Sequence, residues 1–307
     1  MKKLLSTEIP LAAEFLRQGI PVAFPTETVY GLGAPVFNVG AVEKIFQMKG
    51  RPSDNPLICH IASIDQLYEL ACEVPEAALK LAAHFWPGPL TMVLKKQEKV
   101  PAIVTGGQET VAIRMPRHPI ALELIRQVGE PLVAPSANKS GRPSSTTAEH
   151  VLSDFEDGIV IDGGPAEGGL ESTVLYLAGE LPLILRPGLI TSEAISEVLG
   201  CEVRSGQGEV QNASPGSRYR HYAPKATVRI VHSIEEALCE ERCEERAFLM
   251  STQKHPAFHH LTASSFYALL RQADIEGYDA IIVVCNDLND KGDEALMDRL
   301  LRAAGLC

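Results

Sequence analysis

The chain has 307 residues, of which 45% are hydrophobic and 22% are charged, and its net charge is −11. This size and composition are typical of an ordinary soluble protein with one large or two smaller domains. The negative net charge argues against a protein whose main function is to bind the phosphates of a nucleic acid. The sequence shows no apolar run of signal-peptide or transmembrane length, so we expect a cytoplasmic protein without a membrane contact.

The first elements are a helix and a strand that lead into an unusual segment. Thr7 can cap a first helix that ends at Gly19, and the apolar run 20–24 predicts a strand. The strand is followed by Pro25-Thr26-Glu27-Thr28-Val29-Tyr30-Gly31-Leu32-Gly33. Proline and paired glycines interrupt strands, so we expect a loop whose hydroxyl and backbone N–H groups face a ligand.

A basic segment follows the next helix. Residues 39–48 place apolar side chains on one helix face and bring Lys49 to the C-terminal end. Lys49-Gly50-Arg51-Pro52 then supplies two cations on a proline-containing turn, which suits an anionic ligand such as a nucleotide. Ordinary turns with solvated charges are the alternative that the sequence leaves open for this segment and for the preceding one.

Helix and strand patterns continue to alternate up to about residue 200. Strands are predicted at 57–61, 91–94, 111–114, 132–134, 159–161, 172–176 and 182–185, and helices at 64–71, 76–85, 119–128 and 192–199. Several of the connections are too short for helical crossovers. The sequence therefore predicts an α/β domain whose sheet is only partly parallel.

A polar stretch separates this domain from a smaller one. Glycine, serine, asparagine and glutamine concentrate between residues 204 and 217, which is typical of a linker. Beyond it, strands at 227–231, 247–250 and 280–285 and helices at 234–244, 264–273 and 293–304 predict a small Rossmann-like α/β unit. It contains no G-x-G-x-x-G motif, so we predict no nucleotide site there. The predicted boundaries are 1–204, 205–225 and 226–307.

The seven cysteines are widely spread and include no C-x-x-C pair, which favours reduced thiols over disulfides. Cys239 and Cys243 share a predicted helix face, but no histidine or second cysteine pair lies near them. We interpret both as partly buried helix residues and predict no metal ligands in the chain.

The chemistry-bearing residues are scattered cations and hydroxyls near predicted strand ends. No G-x-x-x-x-G-K-[ST] motif occurs, so a bound ATP would not be held by a P-loop. Fixed Lys and Arg charges nevertheless suit a triphosphate, because they neutralise its oxygens and the charge that grows as pyrophosphate leaves. His60 projects from its strand on the face opposite to Cys59 and Ile61, and a structural histidine is the alternative there.

Six ordered segments resemble the YrdC-like threonylcarbamoyl-AMP synthase family. They are Pro25-Thr26-Glu27-Thr28-Val29-Tyr30-Gly31-Leu32-Gly33, Lys49-Gly50-Arg51-Pro52, Trp86-Pro87-Gly88-Pro89-Leu90-Thr91, Arg114-Met115-Pro116, Pro135-Ser136-Ala137-Asn138-Lys139-Ser140-Gly141 and Leu185-Arg186-Pro187-Gly188. A later run, Ser214-Pro215-Gly216-Ser217-Arg218-Tyr219-Arg220-His221-Tyr222-Ala223-Pro224, resembles the linker of the two-domain form. The resemblance implies a YrdC-like twisted mixed sheet with helices as the catalytic domain, followed by the linker and the small Rossmann-like domain.

The resemblance also implies roles for individual residues. The L-threonine site would comprise Thr28, His60, Arg114 and Ser172, with Arg114 pairing with the substrate carboxylate. The ATP site would comprise Lys49, Arg51, Asn55, Ser136, Asn138, Ser144, Arg186 and Tyr222, and Lys49 and Arg51 would also be catalytic. The residues alone leave alternatives open: an ordinary ion pair for Arg114, and surface charges or caps for the ATP set.

The implied activity is the ATP-dependent synthesis of L-threonylcarbamoyl-AMP from L-threonine and bicarbonate, with Mg²⁺ carried on the phosphates. The product would pass to the downstream machinery that transfers the threonylcarbamoyl group to tRNA, which allows a weak tRNA contact. Two alternatives are a non-catalytic RNA-binding module and a carbamoyl-adenylate-forming maturation enzyme. The second normally carries zinc-finger and acylphosphatase-like regions that this chain lacks.

The aromatic and basic end of the linker, residues 218–224, has two interpretations. It could be a strap that docks onto the first domain, or a lid that closes over the substrates and places Tyr222 against ATP.

Overall fold

The computed structural model describes residues 1–206, 222–285 and 294–306. Its strands are β1 Lys2–Leu5, β2 Val22–Phe24, β3 Gly31–Pro35, β4 Ile58–His60, β5 Leu90–Lys95, β6 Thr110–Arg114, β7 Leu132–Val133, β8 Ile159–Asp162, β9 Thr173–Tyr176, β10 Leu183–Arg186, β11 Arg204–Ser205, β12 Thr227–Val231, β13 Ala247–Ser251, β14 His259–His260 and β15 Ala280–Val284. Its helices are α1 Ile9–Arg17, α2 Val39–Lys49, α3 Ile64–Leu70, α4 Glu76–Phe85, α5 Ala102–Thr105, α6 Pro119–Val128, α7 Ala148–Asp154, α8 Ser192–Leu199, α9 Ile234–Glu241, α10 Phe266–Glu276 and α11 Glu294–Ala304.

The strands of the first part form one mixed sheet. Among the described residues its order is β1-β8-β2-β3-β7-β4-β6-β5-β9-β10-β11. The pairs β4–β6 and β5–β9 are parallel, whereas β2–β3, β4–β7 and β5–β6 are antiparallel. The predicted partly parallel α/β sheet is therefore confirmed, and its mixed pairing follows from connections too short to hold crossover helices.

Helices cover both faces of this sheet. On one face, α1 and α6 pack together through apolar side chains such as Leu16 and Leu124. On the other face, α2 places Val42 and Ile45 in the larger core beside Leu32 of β3. A helix rests on each face because its apolar stripe and the apolar strand face are both removed from water.

The helices at Pro119–Val128 and Ser192–Leu199 have the predicted bounds, and each ends at a left-handed glycine. The predicted cap at Thr7 is wrong, because a short 3₁₀ turn spans Ser6–Glu8 and α1 begins after Glu8. The structure also contains elements that the sequence did not predict, among them β1, β3, α5 and α7.

The paired glycines do not form the expected loop but lie within β3, which pairs antiparallel with β2. They are needed for close packing: a Cβ at Gly33 would lie 2.6 Å from the Phe24 ring, and one at Gly31 would lie 3.0 Å from Ala134. The ligand-facing turn is therefore shorter than predicted and ends at Tyr30.

The small C-terminal unit is a parallel sheet of order β12-β15-β13-β14 among the described residues, which confirms its Rossmann-like α/β pattern. Cys239 and Cys243 are exposed, and α9 ends at Glu241, so the expected shared, partly buried helix face is wrong. Residues 207–221, most of the predicted linker or lid, lie outside the described residues. The predicted domain boundaries therefore stay a prediction.

The two units share a buried contact. Val29 and Leu170 of the first part belong to the apolar cluster built around Phe266 and Tyr267 of the second. Gly169 is left-handed there, and a Cβ on it would lie 2.4 Å from the Cα of Ser264. The backbones of the two units thus meet at a distance that only glycine permits.

An arginine of α10 reinforces this contact. Arg271 donates from Nη2 to Oδ2 of Asp154 at 2.8 Å and to the carbonyl oxygen of Pro143 at 2.6 Å. Both charged groups are buried, so the pair fixes the loop after β7 against the small unit. None of the helices in the described ranges combines the length and apolar character needed to cross a membrane.

Candidate active site

A cleft opens where several strand ends of the large sheet meet the small unit. It encloses about 730 Å³, counted out to its open mouth. Its walls come from the turn between β2 and β3, the ends of α2, β4 and β6, the loop after β7, and the segment before β9. The predicted site residues that line it are Thr28, Lys49, Arg51, His60, Arg114, Ser136, Asn138, Ser172, Arg186 and Tyr222.

One end of the cleft combines an arginine with hydroxyl groups. Arg114 donates from Nη1 to Oγ1 of Thr28 at 2.8 Å and forms an ion pair of 2.7 Å with Glu27. The hydroxyl of Thr91, on the neighbouring strand β5, lies 2.7 Å from that of Ser172, which immediately precedes β9. All of these side chains are buried, so a polar ligand would meet pre-oriented groups. The sequence did not single out Glu27, although it lies inside the first motif.

His60 lies in the same end of the cleft. Its Nδ1 is 3.3 Å from the carbonyl oxygen of Ile58, and only a protonated Nδ1 can donate to that oxygen. Burial, together with the nearby Arg114 charge, lowers the pKa of His60 from 6.5 to about 3. The imidazole is therefore neutral at pH 7, and Nε2 is left as an acceptor.

The other end of the cleft is cationic. Lys49 is buried and donates to the carbonyl oxygens of Ser136 and Asn138, at 2.5 and 2.6 Å. Arg51 donates from Nη2 to the carbonyl oxygen of Pro56 at 2.9 Å. Arg186, also buried, donates from Nη2 to the carbonyl oxygen of Ser172 at 2.9 Å. Backbone carbonyls thus hold three cations at one end of the cleft.

Burial has a direct consequence for Lys49. Desolvation, with a smaller contribution from Arg51, lowers the pKa of its ammonium group well below the usual value. A negatively charged ligand would reverse this effect by favouring the protonated form. The picture of an exposed, solvated lysine, which the sequence allowed, is therefore wrong.

Two predicted ATP residues do not line the cleft. Ser144 is fully buried and donates from Oγ to Oε1 of Glu171 at 2.6 Å. Asn55 is also buried, and its Nδ2 has no hydrogen-bond partner within the described part of the chain. Ser144 reaches the cleft only through Glu171, which does line it.

Tyr222 lies shortly before the small unit's first strand and has an unusual backbone conformation. Its φ is 64°, a left-handed conformation that is rare for aromatic residues. The ring is buried 5.5 Å from the ring of Tyr267 and 5.4 Å from the guanidinium carbon of Arg299. The next residue, Ala223, donates from its backbone N–H to the carbonyl oxygen of Gly141 at 2.8 Å. Tyr222 thus packs against the small unit, and its ring also lines the cleft. Residues 218–221 of the predicted strap or lid lie outside the described residues, so both interpretations stay predictions.

Sequence reasoning missed Glu171, Tyr267 and Arg299, which meet behind the cleft. Glu171 could have been noticed because it precedes Ser172 in a glycine-rich entry to a strand. Arg299 gives no such signal, since it is one of several charges on an amphipathic helix and its partner is 128 residues away.

The residues offer little to a metal ion on their own. Within the described ranges, no group of three or more His, Cys, Asp or Glu side chains is placed to hold one. Glu171, the carboxylate among the cleft-lining residues, is already bonded by Ser144, Tyr267 and Arg299.

Family models match both parts of the chain. Residues 14–188 match the Sua5, YciO and YrdC model, described as telomere recombination. Residues 190–305 match the Sua5 C-terminal model, described as the C-terminal domain of threonylcarbamoyl-AMP synthase.

Similar proteins and structures agree with these matches. The threonylcarbamoyl-AMP synthases of Pyrococcus abyssi and Bacillus subtilis are 44% and 46% identical to the chain, each over 97% of it, and 94% and 93% of those proteins are covered. The crystal structure of P. abyssi Sua5 complexed with L-threonine superposes with a TM-score of 0.91 at 42% identity, covering 99% of this chain and 97% of that one.

The structure of HypF shares only part of this architecture. The full-length HypF structure in its phosphate- and nucleotide-bound form has a TM-score of 0.52 at 21% identity and covers 58% of this chain but 28% of HypF. That likeness shows a common fold and no more. With both family models matched in order and relatives aligned along nearly its whole length, the chain belongs to the threonylcarbamoyl-AMP synthase family in its two-domain form.

Proposed function

We propose that this protein makes L-threonylcarbamoyl-AMP from L-threonine, bicarbonate and ATP with release of pyrophosphate, in the first step of N6-threonylcarbamoyladenosine formation in tRNA. The observation that carries the proposal is the joining of two sets of groups in one cleft. The Thr28, Arg114 and Ser172 set suits a small hydroxy amino acid, and the Lys49, Arg51 and Arg186 set suits a triphosphate. P. abyssi Sua5, whose structure contains L-threonine, supports the first assignment.

L-Threonine would bind at the Arg114 end. The guanidinium has five N–H groups, and hydrogen bonds to Gly88 and Thr28 engage two of them, while Nη2 lies 2.7 Å from Oε1 of Glu27 in an ion pair. The others can receive the substrate carboxylate. The unprotonated Nε2 of His60 can accept a hydrogen bond from the substrate's hydroxyl or ammonium group, and Ser172 can bond the hydroxyl. A neutral His60 also avoids repelling the substrate ammonium group.

ATP would bind at the cationic end. Lys49 and Arg51 would neutralise phosphate oxygens and stabilise the charge on departing pyrophosphate, and Arg186 would hold the phosphates near Ser172. Ser136, Asn138 and Tyr222 line the same wall, while Ser144 and Asn55 would act from behind it. The buried Oδ1 of Asn138 has no hydrogen-bond partner within the described part of the chain, which suits a site completed by a polar ligand.

The reaction requires no side-chain nucleophile. The threonine amine attacks the bicarbonate carbon and water leaves, which gives N-carboxythreonine. A carboxylate oxygen of this intermediate then forms a bond to the α-phosphorus of ATP, and the bond between that phosphorus and the bridging oxygen breaks, so pyrophosphate departs with the electron pair. The protein holds both substrates in one partly dry cleft, which favours attack and protects the labile carbamate from water.

Mg²⁺ is a further part of the proposal. It would be carried on the phosphates of ATP, where it neutralises charge, because the cleft's own carboxylate is already committed to Tyr267 and Arg299. Delivery of the product to a tRNA-modifying partner, a weak tRNA contact and a cytoplasmic location belong to the same proposal.

The test is pyrophosphate release by the purified chain with labelled bicarbonate, L-threonine and ATP. We expect release to require all three, with label appearing in an adenylate. Release that continues unchanged without L-threonine would mean that the cleft only hydrolyses ATP and would overturn the proposal.

A further inference from the structure

Glu171 occupies a central position between the cleft and the small unit. Its side chain lines the cleft and is buried. Oε1 accepts hydrogen bonds from Oγ of Ser144 at 2.6 Å and from the hydroxyl of Tyr267 at 3.0 Å. Oε2 accepts one from the same hydroxyl at 2.9 Å and one from Nε of Arg299 at 2.9 Å. Two donors on this carboxylate therefore come from the small unit.

Arg299 makes a second contact with the catalytic part. Its Nη2 donates to the carbonyl oxygen of Pro187 at 2.9 Å, and its side chain is wholly buried. The planar guanidinium therefore joins Glu171 to Pro187 in a fixed geometry that a lysine could not reproduce. The guanidinium also packs against the ring of Tyr222, whose centroid lies 5.4 Å from the guanidinium carbon.

The two segments that Arg299 joins carry candidate ligand-binding residues. Glu171 is followed by Ser172, and Pro187 is preceded by Arg186. Arg186 in turn donates from Nε and Nη2 to the carbonyl oxygen of Ser172, at 3.2 and 2.9 Å, and from Nη2 to its Oγ at 3.3 Å. A shift of Glu171 or Pro187 would therefore move a threonine-site hydroxyl and an ATP-site cation together.

The electrostatics keep Glu171 charged. Burial alone would raise the pKa of its carboxyl, but the charges of Arg299 and Arg186 and the hydrogen bonds from Ser144 and Arg299 together leave the pKa below its usual value. A buried carboxylate that loses a donor must move, recruit water or be protonated, because an unsatisfied charge in a dry site is costly. Its neighbours are thus held only while both donors from the small unit are in place.

We propose that Tyr267 and Arg299 of the small unit are positioning residues for catalysis, acting through Glu171 and Pro187 on Ser172 and Arg186. The inference rests on the proposed function and assigns the small unit a purpose within it. The small unit then needs no substrate site of its own, because it completes the back wall of the catalytic cleft.

The test begins with Tyr267→Phe, which removes one oxygen atom from an otherwise apolar packing position. We expect KM for ATP and for L-threonine each to rise about tenfold, because Glu171 loses a donor and shifts. The melting temperature should fall by only a few degrees, because the aromatic ring still fills the core. The matched control is Tyr278→Phe in the same unit, whose ring contacts Phe248 and Arg246. It should leave both KM values unchanged.

A double-mutant cycle separates positioning from a general structural effect. In the Glu171→Gln background, adding Tyr267→Phe should raise KM by a factor at least about threefold smaller than it does in the wild type. The reason is that both changes act through one carboxylate. Additive effects, or unchanged KM values in folded Tyr267→Phe, would overturn the proposal. If Tyr267→Phe does not fold, the same cycle with Arg299→Lys carries the test.

Amide hydrogen exchange distinguishes this proposal from the proposed function. Without any substrate, peptides spanning residues 171–176 and 186–190 should exchange faster in Tyr267→Phe than in Tyr278→Phe. Faster exchange in a protein that releases no pyrophosphate would contradict the proposed function but support the positioning network. Unchanged exchange in an enzyme that does release pyrophosphate would contradict the positioning network but support the proposed function.

Discussion

Glu27 and Arg114 form a buried ion pair, in which Oε1 of the carboxylate lies 2.7 Å from Nη2 of the guanidinium and each side chain is 4% exposed. The sequence offered an ordinary ion pair and a substrate-binding arginine as alternatives for Arg114. The structure combines them, since Arg114 pairs with Glu27 and also lines the cleft. Glu27 balances the charge of Arg114 before any substrate arrives.

Glu27→Gln should lower the free energy of unfolding by about 3–5 kcal/mol, because it leaves the Arg114 charge buried without its partner. Urea unfolding at pH 7 measures this loss. Glu123→Gln is the control, since its pair with Arg126 is exposed and should be worth less than about 1 kcal/mol. Equal losses in the free energy of unfolding for the two variants would show that the buried pair adds no more stability than the exposed pair.

Lys49→Ala should weaken ATP use and also destabilise the fold. The ammonium group bonds the carbonyl oxygens of Ser136 and Asn138. The Ser136 oxygen keeps a hydrogen bond from the backbone N–H of Asn138, so the main cost is the lost donor on the Asn138 oxygen, about 1–3 kcal/mol. Arg51→Ala is the comparison, because Arg51 is only half-buried. It should reduce ATP affinity with a smaller drop in melting temperature, and a larger drop for Arg51→Ala would contradict this account.

His60 should make the protein less stable as the pH falls. Burial, helped by Arg114, lowers the pKa of His60 from 6.5 to about 3 in the folded state. Between these two values the unfolded chain binds the proton and the folded chain does not, so acid favours unfolding. His60 should account for a loss of about 2 kcal/mol between pH 7 and pH 5.

Urea unfolding of wild type and His60→Gln at pH 7, 6 and 5 tests this expectation. The variant should show a flatter pH dependence, whereas His232→Gln, at an exposed position, should follow the wild type. Parallel curves for wild type and His60→Gln would mean that His60 can be protonated in the folded protein.

The proposed L-threonine site predicts substrate choice. L-Serine keeps the carboxylate, amine and hydroxyl but lacks the methyl group, and one methyl contact is worth about 1–3 kcal/mol. Pyrophosphate release should therefore favour L-threonine by roughly ten- to two-hundredfold in kcat/KM. Equal values for glycine, L-serine and L-threonine would remove the assignment of Thr28, Arg114 and Ser172 to the amino acid.

The sequence by itself determined the order of most elements, the two-part organisation and most of the segments that line the cleft. Helices such as Pro119–Val128 were predictable because local periodicity and a terminal glycine specify them. The motif residues Thr28, Lys49, His60, Arg114 and Arg186 were predictable because they stand in ordered segments that resemble a known family.

Only the tertiary structure decided which groups are paired and buried. The glycines of β3 form a strand because Phe24 and Ala134 pack against them, which local pattern cannot reveal. Lys49 can be buried because two carbonyl oxygens, 87 and 89 residues away in the sequence, accept hydrogen bonds from its ammonium group. Arg299 meets Glu171 across 128 residues, and such a contact leaves no local pattern, because it depends on how two independently patterned units dock.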